Sequence, residues 1–297
     1  MFIDTHAHLN FREYEKDIKD VLERSFDAEV KKIINVGSNY KTSVKSVKSI
    51  KGVELYSVIG CHPIHLTSDI TETAKFDGKE YKFTTKKEEF DVKKYQKIID
   101  SSDKVVAVGE TGLDYYHLKT QNSKLKTISK NLKLEKEIQK KVFKKHIELA
   151  IENNLPLVLH CRGSGNDQYG AYDEMLKIIK FYNLNLKSNL RGVAHCFVGN
   201  LAQAKEFIKM GFYIGVNGIV TFKNSKELQN IIKEIPLKNI VLETDCPFLA
   251  PDPYRGKRNE PAYIPIIAQK IAELKNININ EVKQQTTANS QKLFNIV

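Results

Sequence analysis

Eight times along its 297 residues the chain sets a short apolar run in front of a stretch with helical periodicity. The runs are FID (2–4), KIINVG (32–37), VELYSVIG (53–60), VVAVGE (105–110), PLVLHCR (156–162), GVAHCF (192–197), FYIGV (212–216) and NIVLETD (239–245). Helical stretches are expected at 14–29, 41–49, 91–102, 134–153 and 172–182, after the sixth and seventh runs, and from Ala262 onward. Continuous apolar runs separated by helices are the signature of parallel strands buried on both faces. Eight such units in a chain of this length point to an α/β fold of the (β/α)8 TIM-barrel type. An open doubly wound sheet is the competing architecture, but it usually carries a glycine-rich phosphate turn after an early strand, and no GxGxxG occurs here.

The residues after Asn276 supply one extra C-terminal helix, and no linker rich in Pro, Gly or Ser divides the chain. A single barrel domain over 1–297 is therefore expected, with loop insertions near 67–90 and 117–134. Both insertions follow strand C-termini, the end of a barrel that carries function. From Lys119 to Lys145 there are ten lysines against two acids, Glu135 and Glu137. This run is either a solvated face or a contact for a polyanion.

Near the start, DTHAHLN places His6 and His8 one residue apart. In a strand, residues i and i+2 share a face, so two imidazoles at this spacing can converge on one metal ion. Alone, the motif is too short to carry weight. Strand position adds Glu110 at the end of the fourth run, His160 at the fifth, His195 at the sixth and Asp245 at the eighth. In a barrel these ends ring one mouth. Four imidazoles and two carboxylates exceed one ordinary zinc site and suit two divalent ions with a shared bridge. The expected grouping is His6, His8 and Asp245 around one ion, His160 and His195 around the other, and Glu110 between them. Such a pair of ions, roughly 3.5–4 Å apart, activates a shared water for phosphoryl displacement, and Asp245 is placed to take its proton.

Two further residues are candidates for binding substrate. Arg162 shares the face of His160 and can grip a phosphate or simply brace the mouth, while His62 can donate to a phosphate oxygen or fix its loop. His65 and His117, on the flanking loops, are expected to face solvent. Tyr115 or Tyr116 can stack on a terminal base, with at least one of them packing under its loop. The four cysteines form no CxxC pair, and each stands beside a His or Asp. By the same period-2 rule they are read as buried thiols facing away from the ligands.

The net charge of +11 (47 Lys and Arg, 36 Asp and Glu) suits a polyanionic partner, although a general bias toward Lys, Asn and Ile would raise the charge without making a binding face. No apolar run approaches the roughly 20 residues that cross a bilayer, and the N-terminus does not read as a signal peptide. These features point to no membrane association and to a cytoplasmic or nuclear location.

DTHAHLN, GCHP (60–63), GETGLDYY (109–116), HCR (160–162), HCF (195–197), ETDCPFLAP (243–251) and RGKRNEP (255–261) together resemble the signature blocks of the TatD family of metal-dependent deoxyribonucleases in the amidohydrolase superfamily. The resemblance spans essentially the whole chain, in family order. It implies a hydrolase of DNA phosphodiester bonds, often a 3′ to 5′ exonuclease; attack by a metal-bridging hydroxide and a monomeric state are expected. The implied cofactors are two divalent ions (Mg, Mn or Zn). The family's ligands fall on His6, His8, Glu110, His160, His195 and Asp245, with Glu110 and Asp245 as catalytic groups. Carbonyl chemistry on a small amide or an aminoacyl-tRNA end is the alternative reaction, and a non-catalytic nucleic-acid-binding barrel is a third reading.

Overall fold

The computed structural model describes residues 1–48, 54–118, 125–185 and 188–297. In chain order the strands are β1 (Phe2–Ala7), β2 (Val30–Val36), β3 (Glu54–Ile59), β4 (Ile70–Phe76), β5 (Lys79–Thr85), β6 (Val105–Asp114), β7 (Leu157–Arg162), β8 (Gly192–Ala194), β9 (Phe212–Val216) and β10 (Ile240–Leu242). The helices are α1 (Ile18–Asp27), α2 (Tyr40–Ser46), α3 (Val92–Asp100), α4 (Leu125–Glu152), α5 (Gly170–Asn185), α6 (Leu201–Lys209), α7 (Lys226–Glu234), α8 (Ile264–Lys275) and α9 (Ile279–Phe294).

Eight strands form one parallel sheet in the order β1-β2-β3-β6-β7-β8-β9-β10, and helices alternate with them as in a TIM barrel. β1 and β10 share no full ladder. Just beyond β10 the seam is closed by two backbone bonds, Asp245 N–H to the His6 carbonyl (2.8 Å) and His8 N–H to the Cys246 carbonyl (2.9 Å). Val36, Val58, Val158, Val193 and Val241 pack together as one buried apolar cluster, which Leu293 and Phe294 of α9 complete. The extra C-terminal helix is thus part of the barrel's own core. A larger apolar cluster contains the alternate strand positions, such as Ile33, Leu157 and Leu159, together with the buried faces of the helices.

Two expectations need correction. Residues 67–90 are not simply a loop, because they contain the antiparallel hairpin β4–β5, joined at Asp77-Gly78. Both turn residues have positive φ (53° and 69°), the conformation that a two-residue hairpin turn demands and that an Asp-Gly pair readily adopts. The stretch 117–134 is likewise not all loop, since α4 begins at Leu125, nine positions before the expected start at Leu134. Leu125, Ile128 and Leu132 continue the apolar spacing of the helix, and no Gly or Pro interrupts it. Lys119 and Lys124 lie outside the described residues, as do the side chains of Lys126 and Lys130, so the lysine run gains no structural account there.

Candidate metal centre

At the C-terminal mouth of the barrel His6, His8, Glu110, His160, His195 and Asp245 come together, as strand position requires. Their donor atoms fall into overlapping groups within 4.8 Å, namely His6–His8–Glu110, His6–His195–Asp245 and His62–Glu110–His160. Glu110 is the common member of two groups because its oxygens face opposite ways. Oε2 lies 3.5 Å from His6 Nε2 and 3.8 Å from His8 Nε2. Oε1 lies 3.1 Å from His160 Nδ1, 3.5 Å from His62 Nε2 and 3.7 Å from His195 Nε2. Asp245 stands over the other side of the first group, its Oδ1 3.4 Å from His8 Nε2 and its Oδ2 3.9 Å from His195 Nε2.

The local backbone explains how Glu110 reaches this point. It follows Gly109, whose φ is +154°, and a Cβ on Gly109 would sit 2.5 Å from the Val158 carbonyl oxygen on β7. Only a glycine lets β6 and β7 approach so closely there. On the seam, the pair of backbone bonds between β1 and the Asp245–Cys246 segment fixes His6 and His8 against Asp245.

The ring nitrogens are assigned by their other partners. A carbonyl only accepts, so His8 Nδ1–H donates to the Val36 carbonyl (3.0 Å) and leaves the Nε2 lone pair directed at the cluster. His6 Nε2 faces His8 Nε2 at 3.2 Å. Two such lone pairs repel each other unless a cation or a proton lies between them. Donors about 3 Å apart suit one cation with nitrogens at roughly 2.0–2.1 Å, so the donor set fits a divalent metal. His195 Nδ1 lies 3.0 Å from Glu243 Oε1, which turns its Nε2 toward Glu110 and Asp245. His62 differs. Its Nδ1 accepts from Ile64 N–H (3.1 Å), capping the short 3-10 turn Pro63–His65, and burial holds its ring well below the usual histidine range. The neutral ring then carries its proton on Nε2, which makes His62 a donor at the site and not a lone-pair ligand.

Electrostatics match this arrangement. Burial opposes ionisation of Glu110, but the surrounding imidazoles, His160 and His6 through direct hydrogen bonds, outweigh it and hold the carboxyl well below the usual range. Burial also works against charge on His195, yet Glu243 and Asp245 overcome it and push the ring up to about 10. The mouth therefore gathers carboxylates that require positive charge beside them, from protons or from metal.

Two positioning residues were not singled out from the sequence, although both lie inside the quoted motif blocks. Asp114, four residues after Glu110, has Oδ2 3.0 Å from His160 Nε2 and 2.7 Å from His117 Nδ1. Gln139 of α4 clamps its backbone, accepting from Asp114 N–H and donating to its carbonyl, both at 2.9 Å. Glu243, two residues before Asp245, stands 3.0 Å from His195 Nδ1 as an ion contact and accepts a hydrogen bond from Cys196 N–H (2.6 Å). A carboxylate behind a histidine fixes the ring and its tautomer.

The flanking histidines do not face solvent as expected. His65 is buried with Nδ1 3.0 Å from the Lys86 carbonyl, and His117 bridges Asp114 to Glu72 of the hairpin. These two carboxylates overcome the burial penalty and push His117 up to about 9. Cys61, Cys161 and Cys246 are buried and Cys196 is half-buried, and both Cys161 and Cys196 line the cleft. Cys196 follows a three-residue strand and has φ +46°, so the period-2 rule no longer governs it. Among the described residues no thiol joins a metal-type cluster. Tyr115 is buried and donates its hydroxyl to Glu174 (2.8 Å), which leaves packing as its role. Arg162 is exposed, with its guanidinium 3.7 Å from the centre of the Tyr116 ring.

The cluster floors a cleft of about 1060 Å³ whose walls include Arg12, Lys41, Lys45, Lys82 and Arg162, with β4 and β5 along one side. No helix among the described residues is long and apolar enough to cross a membrane.

Comparison with known proteins places the chain in a family. The family described as TatD related DNase matches residues 3–295. The metal-dependent hydrolase YabD of Bacillus subtilis is 37% identical over 297 residues, with 100% of both chains covered. The 3′-5′ ssDNA/RNA exonuclease TatD of Erwinia tasmaniensis is 28% identical, with 99% of each chain covered. The crystal structure of the TatD homologue YjjV from Escherichia coli superposes with a TM-score of 0.78 at 26% identity, covering 100% of this chain and 98% of that one. A (β/α)8 barrel with a cation-ready cluster at its mouth, matched almost end to end by one family, makes this chain a metal-dependent hydrolase of the TatD family.

Proposed function

We propose that the protein hydrolyses phosphodiester bonds of single-stranded DNA, removing nucleotides from the 3′ end with two divalent cations. The observation that carries this reading is Glu110, which turns Oε2 to the His6–His8 pair and Oε1 to the His160 side at the floor of a cleft whose walls include Arg12, Lys41, Lys45, Lys82 and Arg162. His6, His8 and Asp245 would hold one cation and His160 the other, with Glu110 serving both; His195 would join His160 through Glu110 Oε1 (3.7 Å), although its donors also group with His6 and Asp245. Bound there, the cations supply Lewis acidity and an activated water. Asp245, with 15% of its side chain exposed beside His8, accepts the proton of the attacking water. The Nε2–H of His62 donates to a non-bridging phosphate oxygen, and Arg162, steadied on Tyr116, neutralises the phosphate charge. The 3′-5′ polarity and the single-strand preference follow the Erwinia relative.

The direct test reconstitutes the protein with Mn, Mg or Zn and follows end-labelled single- and double-stranded DNA at nucleotide resolution. A ladder receding from the 3′ end of single strands is expected. Internal cuts, RNA-only cleavage, or no cleavage with any metal would each reject the corresponding part of the reading.

Two quantitative expectations follow. Glu243→Gln, which weakens the orientation of His195 while keeping side-chain size, should reduce metal affinity by about 10- to 100-fold, measured by chelator competition. Unchanged affinity would mean that His195 does not depend on Glu243. Lys41, Lys45 and Lys82 line the cleft. Each phosphate they neutralise adds roughly 0.7 to the log–log salt slope for single strands. The triple Lys→Gln variant should therefore flatten the salt dependence of the KM for DNA, by up to about two if all three contacts form. An unaltered slope would assign these lysines to solvation alone.

A further inference from the structure

Three phenylalanines from distant parts of the chain line the cleft next to the metal centre. Phe11 and Phe248 are each three residues beyond a site residue and tied to it by a turn, Phe11 N–H donating to the His8 carbonyl (3.1 Å) and Phe248 N–H to the Asp245 carbonyl (2.9 Å). The Phe11 ring stacks on His8, with centroids 4.6 Å apart and planes 18° from parallel. Phe11 and Phe248 meet edge to face at 6.4 Å. The third ring, Phe83, belongs to the hairpin and meets Phe248 at 5.2 Å.

The hairpin is built to deliver that ring. Along β5 the exposed residues Glu80, Lys82 and Thr84 alternate with the half-buried Tyr81, Phe83 and Thr85. Phe83 pairs across the ladder with Glu72, and directly opposed residues share a face. That one face sends Glu72 to His117 on the β6 side of the mouth and Phe83 to Phe248 on the β10 side. The backbone is pinned at two more points, where Arg12 donates to the Lys82 carbonyl (2.8 Å) and Asp77 N–H to the Gly256 carbonyl (2.8 Å). The strap thus touches loops from the first, fourth and eighth barrel strands.

We infer that Phe11, Phe83 and Phe248 form a stacking subsite for the terminal nucleobase of a single strand, with Phe83 of the hairpin as the residue that sets the preference for a base-bearing end. All three rings are only half-buried, so aromatic surface remains open to the cleft. Every base has a π-face, so such a platform recognises a nucleobase without reading its identity. Its place beside His8 and Asp245 seats the base next to the bond to be cut, while the cleft's lysines and arginines meet the backbone. A base held in a duplex stays stacked on its neighbours and cannot enter. The inference rests on the nuclease reading above.

The test uses Mn-reconstituted protein and two 5′-labelled single-stranded oligonucleotides of equal length, one ending in thymidine and the other in an abasic nucleotide. The readout is the ratio of kcat/KM for removal of the last nucleotide. Wild type should favour the base-bearing end by about 5- to 140-fold, the range spanned by alanine substitution of base-stacking aromatics. Phe83→Ala should bring the ratio close to one, and Phe83→Trp should restore it. Phe83 lies on an exposed strap outside the barrel, so circular dichroism should report an intact fold in both variants. A wild-type ratio near one, or a preference that survives Phe83→Ala, overturns the subsite while leaving the nuclease reading in place. Failure of wild type to cut either oligonucleotide removes the nuclease reading, and the subsite falls with it.

Discussion

Glu110→Ala is expected to lower kcat/KM by on the order of 10³-fold or more, the scale on which loss of a preorganised charge acts in a site sheltered from water. Glu110 is 4% exposed and faces five imidazoles through its two oxygens. Without it the two groups of donors lose their common anion, and the metal content of the purified protein should fall. The fold should survive, because the apolar clusters of the barrel do not include this side chain. Glu110→Gln keeps the volume and one acceptor oxygen but removes the charge, so it should recover little activity. Elemental analysis, circular dichroism and turnover measured on the same samples decide the matter. Near-wild-type turnover in Glu110→Ala would take this residue out of the mechanism.

The second large effect is expected one residue earlier. In Gly109→Ala the new Cβ would lie 2.5 Å from the Val158 carbonyl oxygen and 2.9 Å from Val158 Cβ, at a φ of +154° that side chains rarely adopt. Backbone strain and overpacking together should cost about 2–4 kcal/mol. β6 can relieve the clash only by moving away from β7, and Glu110 moves with it. Stability and activity should therefore fall together, and added metal should not restore turnover. A variant with the wild-type melting temperature and normal kcat would show that the close approach of β6 and β7 does not position Glu110.

Much of this molecule is legible in its sequence. Eight apolar runs, each followed by a helical stretch, led to the barrel, because strands buried on both faces keep few polar residues. The convergence of His6, His8, Glu110, His160, His195 and Asp245 followed from one geometric property, that strand C-termini in a barrel meet at one mouth. The hairpin also has a sequence signal. Asp77-Gly78 between alternating residues is a strong local turn signal, yet the surrounding charges make the segment look like a solvated loop.

Other features rest on contacts between residues far apart in sequence. Asp114 behind His160, Glu243 behind His195, and His117 joined to Glu72 across 45 positions depend on the relative rotation of packed strands and loops. Residue spacing cannot encode that rotation. Cys196 illustrates the limit within a single strand end, because alternation predicts which way a side chain points only while the strand continues. Periodicity is a local property and was enough to place the ligand-type residues on the barrel's rim. Which nitrogen of each ring faces the centre, and what stands behind it, is set by close packing across the mouth, where the partners come from the whole length of the chain.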